Sequence, residues 1–152
     1  MDNDSRKVIS ALKESWHKMD ILYDFYAKSI GLNFTVVVVL ELLSDPAEVY
    51  TQKGVCEKLG LPKQLINSII KSLWEQGFVE LKEASDRRNK DIIVTARGRE
   101  YIINVLGPLE EAEFAAWESF SAEEILQFSK TTEKYAKAFE GILKAKKKKL
   151  KK

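Results

Sequence analysis

KGVCEKLGLPKQLINSIIKSLWEQGFVELKEASDRRNKDIIVTARGREYI, from Lys53 to Ile102, is the stretch whose reading decides the fold. A short helix, N-capped by Thr51, runs to Leu59 and meets the turn Gly60-Leu61-Pro62. A second helix follows as far as Gly77, with Pro62 in its first turn, where the missing N–H costs nothing. Its apolar stripe is Leu65, Ile66, Ile69, Ile70, Leu73 and Trp74, and Lys63, Gln64, Asn67, Ser68, Lys71 and Ser72 form the opposite face. Val79-Glu80-Leu81-Lys82 alternates as a strand and Asp91 to Thr95 reads as its partner. Their connection carries Ser85-Asp86-Arg87-Arg88-Asn89 and is longer than a minimal hairpin. Helix, turn, helix and a basic two-stranded wing is an order that places a helix in the DNA major groove. Arginines at a wing tip suit a narrow minor groove.

Outward from this segment, both flanks read as helices. Upstream, Ile9, Leu12, Trp16, Met19, Tyr23, Tyr26 and Ile30 keep 3-4 spacing over three heptads, a seam for the protomer's own core or for a partner helix. Gly31 ends that helix and Asn33 caps the next, from Phe34 to about Ser44. Val36-Val37-Val38-Val39 has strand propensity, but its place between helical segments favours helix. Asp45-Pro46 breaks the chain. Downstream, Thr95 caps a helix carrying Ile102, Leu106, Leu109, Ala112, Ala116 and Phe120 on one face, with Gly107-Pro108 expected to kink or split it. Ser121-Ala122-Glu123-Glu124 is a capping box, followed by a heptad-patterned helix with Ile125, Phe128, Thr132, Tyr135, Phe139 and Ile142.

Bulk properties narrow the function. The 152 residues suit one compact domain or one protomer of an intertwined dimer, and 45% hydrophobic residues supply a core. The single cysteine, Cys56, excludes an internal disulfide and fits a reducing cytosol. The longest apolar run, Val36 to Leu40, is too short to span a bilayer, and no apolar segment follows MDNDSRK as in a signal peptide. A cytoplasmic protein with no membrane partner is expected. Charge is unevenly distributed: net −2 over residues 1–46, +3 over 47–99, −6 over 100–143 and +7 over 144–152. The winged segment and the lysine-rich tail would meet a polyanion first; the alternative for the tail is a solvated terminus.

Asn and Gln pair bidentately with adenine, and Lys reaches guanine or phosphate, so Lys63, Gln64, Asn67 and Lys71 are candidate base-reading residues. Ser68 and Thr51 suit phosphate oxygens, which position rather than specify. Arg87, Arg88 and Lys90 complete the DNA-binding set from the wing; one arginine can enter the groove while the other pairs with Asp86. Arg97 and Arg99 sit near a helix start, where a phosphate or a local carboxylate would offset the dipole. Trp16, His17, Tyr23, Tyr26 and Trp117 are candidates for an effector cleft, although an aromatic stripe is more often core. Cys56 reads as packed within the helix-turn-helix rather than as a redox centre. The sequence has no Gly-rich phosphate loop, no Cys/His metal cluster and no histidine beyond His17 for a triad. Neither an enzyme nor a cofactor is therefore expected.

From about residue 6 to 146 the chain resembles the MarR family of bacterial transcriptional regulators. The resemblance lies in Leu32-Asn33-Phe34-Thr35 to Leu43, in Cys56-Glu57-Lys58-Leu59-Gly60-Leu61 through Leu73 to Gly77-Phe78-Val79, and most specifically in Ser85-Asp86-Arg87-Arg88-Asn89-Lys90 with Val94-Thr95 and Gly98 downstream. It implies a mainly α fold with a small two- or three-stranded β-wing, a winged helix-turn-helix at 33–107, dimerisation helices at 1–32 and 108–146, and a lysine-rich tail at 147–152. It also implies a homodimer whose two winged modules bind a pseudo-palindromic operator in double-stranded DNA, as repressor or activator with repression expected, and a small-molecule or oxidant effector. Asn67-Ser68 stands where family members often carry Thr-Arg, and Gly54 replaces a better helix former. The first helix lacks the cysteine of redox-sensing relatives, and His17 is alone where metal-sensing relatives use several histidines. The missing Thr-Arg pair and the only mildly basic module, net +3 over residues 47–99, leave room for a protein of the same fold that acts mainly through protein contacts, as an antirepressor or scaffold.

Overall fold

The computed structural model describes residues 2–83 and 89–150. The element order is α1 (Asn3–Ser29), α2 (Phe34–Ser44), β1 (Tyr50–Thr51), α3 (Gln52–Leu59), α4 (Lys63–Glu75), β2 (Val79–Glu83), β3 (Lys90–Val94), α5 (Ala96–Trp117) and α6 (Ala122–Leu150). The chain forms two compact units, Met1–Leu109 and Glu110–Lys152. The expected mainly α architecture with a small wing is present, and the sheet has three strands.

In the first unit, α2 supplies the centre. Its valine run is helical because Asn33 accepts a hydrogen bond from the Val36 N–H at 3.1 Å, and because Val37, Val39, Leu40 and Leu43 are all buried. A helix apolar on most sides needs cover on most sides. Val55 of α3, Ile66, Ile69, Ile70 and Leu73 of α4, Val79, Ile92, and Ile102, Val105 and Leu106 of α5 provide it. From α1 only Ala27 is fully buried, but Tyr23 stacks on Phe34 with centroids 5.3 Å apart. The Tyr26 hydroxyl donates to the Val105 carbonyl, and burial pushes that phenol above its usual pKa. These two tyrosines of the heptad seam therefore work inside the protomer. Ile9, Leu12, Met19 and Ile30 of the same seam are exposed.

The sheet order is β1-β3-β2, all antiparallel, with Val79 opposite Val94 and Glu83 opposite Lys90. β3 ends at Val94 rather than at Thr95, because Thr95 has another task. Its N–H donates to the Phe78 carbonyl (3.0 Å) and its hydroxyl donates to the Gly77 carbonyl (2.8 Å). The same oxygen accepts from the Gly98 N–H (2.9 Å), capping α5. One side chain thus ties the end of α4 to the start of α5. Gly98 is required for the closeness: a Cβ there would lie 1.9 Å from the Phe78 carbonyl oxygen. Tyr101, one turn along α5, stacks on Phe78 at 4.0 Å between centroids. α5 then continues through Gly107-Pro108, so of the expected kink or split the split does not occur.

In the second unit the capping box forms as expected. The Glu124 N–H donates to the Ser121 hydroxyl (3.2 Å), and the Ser121 N–H donates to the Glu124 carboxylate (2.8 Å). The Ser121 N–H and, at 2.9 Å, the Ser121 hydroxyl both donate to the Glu124 carboxylate and hold it below its usual pKa. Trp117 packs against Phe120 and Phe128, with centroids 5.2 and 5.8 Å apart. No hydrophobic side chain described in this unit is buried; Phe114 is 70% exposed and Ile142 56%.

Gly98→Ala is expected to destabilise the protein by about 3 kcal/mol, at the upper end of overpacking costs, because the opposing atom is backbone and has no rotamer to change. Thr95→Ala is expected to cost about 1–2 kcal/mol through a carbonyl and an N–H losing their partner. Urea denaturation of the two variants checks both, and a Gly98→Ala protein as stable as the parent would refute the close approach.

Candidate nucleic-acid interface

The site is the exposed side of α4 with the elements that hold it. At its C-terminus the Phe78 N–H bonds to the Leu73 carbonyl and the Gly77 N–H to the Trp74 carbonyl, both at 2.9 Å, closing a Schellman motif with Gly77 at φ 74°. The Thr95 hydroxyl then takes the Gly77 carbonyl. At its N-terminus Pro62 is the capping residue rather than a first-turn residue, and it makes no side-chain cap bond. The α3–turn–α4 pair is closed by Gly60 in the left-handed region, and α3 starts at Thr51, whose hydroxyl accepts from the Gly54 N–H at 3.1 Å.

Against this frame the expected residues divide. Gln64, Ser68 and Lys71 lie along the exposed side, with Lys63 exposed at the first turn. Asn67 does not belong to the fully exposed face: it is half-buried, and its Oδ1 is buried without a hydrogen-bond partner. The cause is rotational. The buried positions Ile66, Ile69, Ile70 and Leu73 centre the core-facing side, which puts Asn67 at its margin. The same geometry exposes Leu65 (38%) and Trp74 (52%), which the apolar stripe would place in the core. Thr51 is half-buried and occupied as a cap. Lys90, the first residue of β3, is exposed at the base of the wing. Arg87 and Arg88 lie outside the described residues.

A feature that sequence pattern did not single out is Glu75. It lies one turn beyond Lys71 and forms an ion pair with it at 3.6 Å. An exposed pair of this kind adds little stability, but it puts a carboxylate on the surface that would face phosphates. The i,i+4 spacing was the available signal. Beside this face, Gln52, Lys53, Cys56, Lys63, Leu81 and Lys90 line an open cleft of about 600 Å³. Cys56 is half-buried there and also packs on the core. Within the protein, Arg97 lies 5.3 Å over the Phe78 ring and Arg99 donates to the Val94 carbonyl at 3.0 Å.

Of the effector candidates, Trp16 is half-buried and His17 exposed on α1, Tyr23 and Tyr26 make the packing contacts described above, and Trp117 belongs to the second unit. Among the described residues, no group of three or more His, Cys, Asp or Glu is placed to hold a metal, and no single helix is long and apolar enough to cross a membrane.

Glu75→Gln is expected to tighten duplex binding severalfold and to steepen the salt dependence by about one, since Lys71 becomes available to a phosphate. Fluorescence anisotropy over about 50–200 mM salt reads both; no change would mean this face of α4 does not meet DNA.

Residues 30–89 match the family model described as MarR family, covering α2 through the start of the wing. A search of curated proteins found no match. Among solved structures, the chain is similar to NMB1585, a MarR family regulator from Neisseria meningitidis, with TM-score 0.74 and 24% identity, covering 89% of this chain and 95% of that one. It is also similar to AbsC, a MarR family transcriptional regulator from Streptomyces coelicolor, with TM-score 0.75 and 15% identity over 93% and 97% of the two chains. The S. aureus MepR–DNA complex aligns with TM-score 0.68 and 17% identity over 86% and 96%. Residues 30–89 thus carry the sequence pattern of the MarR family, and the chain has the fold of that family's solved regulators.

Proposed function

We propose that this protein is a homodimeric, sequence-specific DNA-binding transcriptional regulator. The observation that carries the reading is α4: a helix fixed at its end by the Schellman turn and Thr95, presenting Gln64, Ser68 and Lys71 outward beside a wing whose connection holds Arg87 and Arg88. A helix so held reads base edges in the major groove with Lys63, Gln64 and Lys71, while Asn67 contributes only where its half-buried amide reaches the groove wall. Ser68 contacts a phosphate, Thr51 and Lys90 position the backbone, and the wing arginines enter the minor groove. The solved MepR–DNA complex, whose fold this chain shares, supports the assignment.

Unburied apolar surface supports the homodimer. α1 leaves Val8, Ile21, Leu22 and Phe25 more than half exposed, and α6 does the same with Leu126, Phe128 and Ile142. Exposed apolar side chains in this number support an interface, and the exposed heptad positions Ile9, Leu12 and Met19 of α1 and Phe128, Tyr135, Phe139 and Ile142 of α6 suit a second copy of the same helices. Residues 1–32 and 108–146 are accordingly the dimerisation regions. Two recognition helices presented on the order of 34 Å apart engage successive major grooves of a pseudo-palindrome. Occupying an operator blocks transcription, so repression is the expected mode. A small molecule acting near Trp16, His17, Tyr23, Tyr26 or Trp117 would relieve it by changing the helix spacing, since a few ångströms suffice. The activity is that of a regulator in the cytoplasm, not of an enzyme.

Arg87→Ala together with Arg88→Ala is expected to weaken duplex binding at about 150 mM salt by at least about tenfold and to lower the salt slope by about two, with unchanged circular dichroism. Unchanged affinity in this double variant would remove the wing from the interface. Binding of a protein partner with weak salt dependence, and of no duplex, would favour the scaffold reading instead.

A further inference from the structure

Leu65 takes no part in the core that its place in the apolar stripe leads it to join. It is the third residue of α4, it is 38% exposed, and it stands outside both the buried cluster and the partly buried residues packed on that cluster. Its neighbour Ile66 is fully buried, and successive helix positions differ by about 100° around the axis. That rotation carries Leu65 to the edge of the outward side, where Ser68 and Ser72, three and seven residues on, follow it in one exposed row. Gln64 beside it is exposed as well. An apolar side chain therefore stands among polar ones in the first turn of the helix.

A single exposed leucine is ordinary on a protein surface, and it is the place of this one that carries information. A recognition helix contacts base edges with its N-terminal residues. A leucine there loses its water when the groove closes over it. Set against an amino or carbonyl group, it would leave that group without a hydrogen-bond partner, which is costly. The major groove presents one kind of apolar group, the C5-methyl of thymine. Leucine against that methyl is the pairing in which both sides gain from leaving water.

The other use of an exposed apolar side chain is a protein contact, and the geometry of α4 does not suit it. The helix's other exposed large hydrophobic residue, Trp74, lies nine positions further on. That separation is about 13 Å along the axis and about half a turn around it, so the two share no patch. Ser68, Lys71, Ser72 and Glu75, all exposed, occupy the outward side between them.

We infer that Leu65 is a specificity-determining residue that reads the C5-methyl of a thymine in each half-site of the operator. This rests on the reading of α4 as the recognition helix and deepens it: Gln64 and the lysines supply polar contacts, and Leu65 adds an uncharged one that depends on a methyl group.

The test uses the full chain and a duplex recovered by selection from a random pool at about 150 mM salt. Each thymine is replaced in turn, in both half-sites, by deoxyuridine, which removes the methyl and keeps the base pair. At one thymine of the half-site the replacement should cost the parent about fourfold in affinity per half-site, the worth of one buried methyl. Leu65→Gln should abolish that cost and Leu65→Met should keep it; both residues are close to leucine in helix propensity. The phosphate contacts are untouched, so Leu65→Gln stays measurable and keeps the parent's salt slope over about 50–200 mM. A recovered motif in which no thymine is sensitive to the replacement would overturn this inference alone and leave the DNA reading standing. The same holds for a sensitivity that Leu65→Gln retains, which would assign the methyl to another side chain. A folded parent that recovers no motif would overturn both.

Discussion

α4 is only as well placed as its attachment, and that attachment is the Thr95–Gly98 junction. Thr95 joins three elements with one hydroxyl and one N–H: the Gly77 carbonyl beyond α4, the Phe78 carbonyl before β2, and the Gly98 N–H in α5. Gly98 permits the approach, and Phe78 secures it by stacking on Tyr101 and lying under Arg97. These bonds join the last turn of α4 to the sheet and to the start of α5, and the proposed operator control would act through that junction.

The second physical constraint is burial. The first unit closes a core around α2, and its members fall from 0 to 7% exposure. The second unit has helices with a good capping box and aromatic neighbours but no buried side chain among those described. Helices with long exposed apolar faces gain little from propensity alone and need a packing partner. The proposed homodimer would supply one, since α1 and α6 both carry heptad patterns.

Much of the fold was legible from local chemistry. Asn33, Thr51, Thr95 and the Ser121–Glu124 box announced helix starts, and each makes the bond its type suggests. The valine-rich α2 was readable as helix only through its neighbours, since tertiary burial overrides strand propensity. Less legible was which helix face is covered. Period alone placed Leu65 and Trp74 inside and Asn67 outside, whereas the direction of packing against α3 and β2 puts the first two at the surface and half-buries the third. Gly107-Pro108 read as a kink or a split, and the helix is not split there; Glu75 went unremarked because an i,i+4 ion pair is ordinary on a helix surface.

The account stands or falls on sequence-specific duplex recognition by a dimer. Rounds of anisotropy-monitored selection from a pool of random duplexes, at about 150 mM salt to suppress non-specific phosphate contacts, test it most directly. The account predicts recovery of a two-fold symmetric motif with half-sites about 10 base pairs apart. A folded dimer that enriches no motif would contradict it.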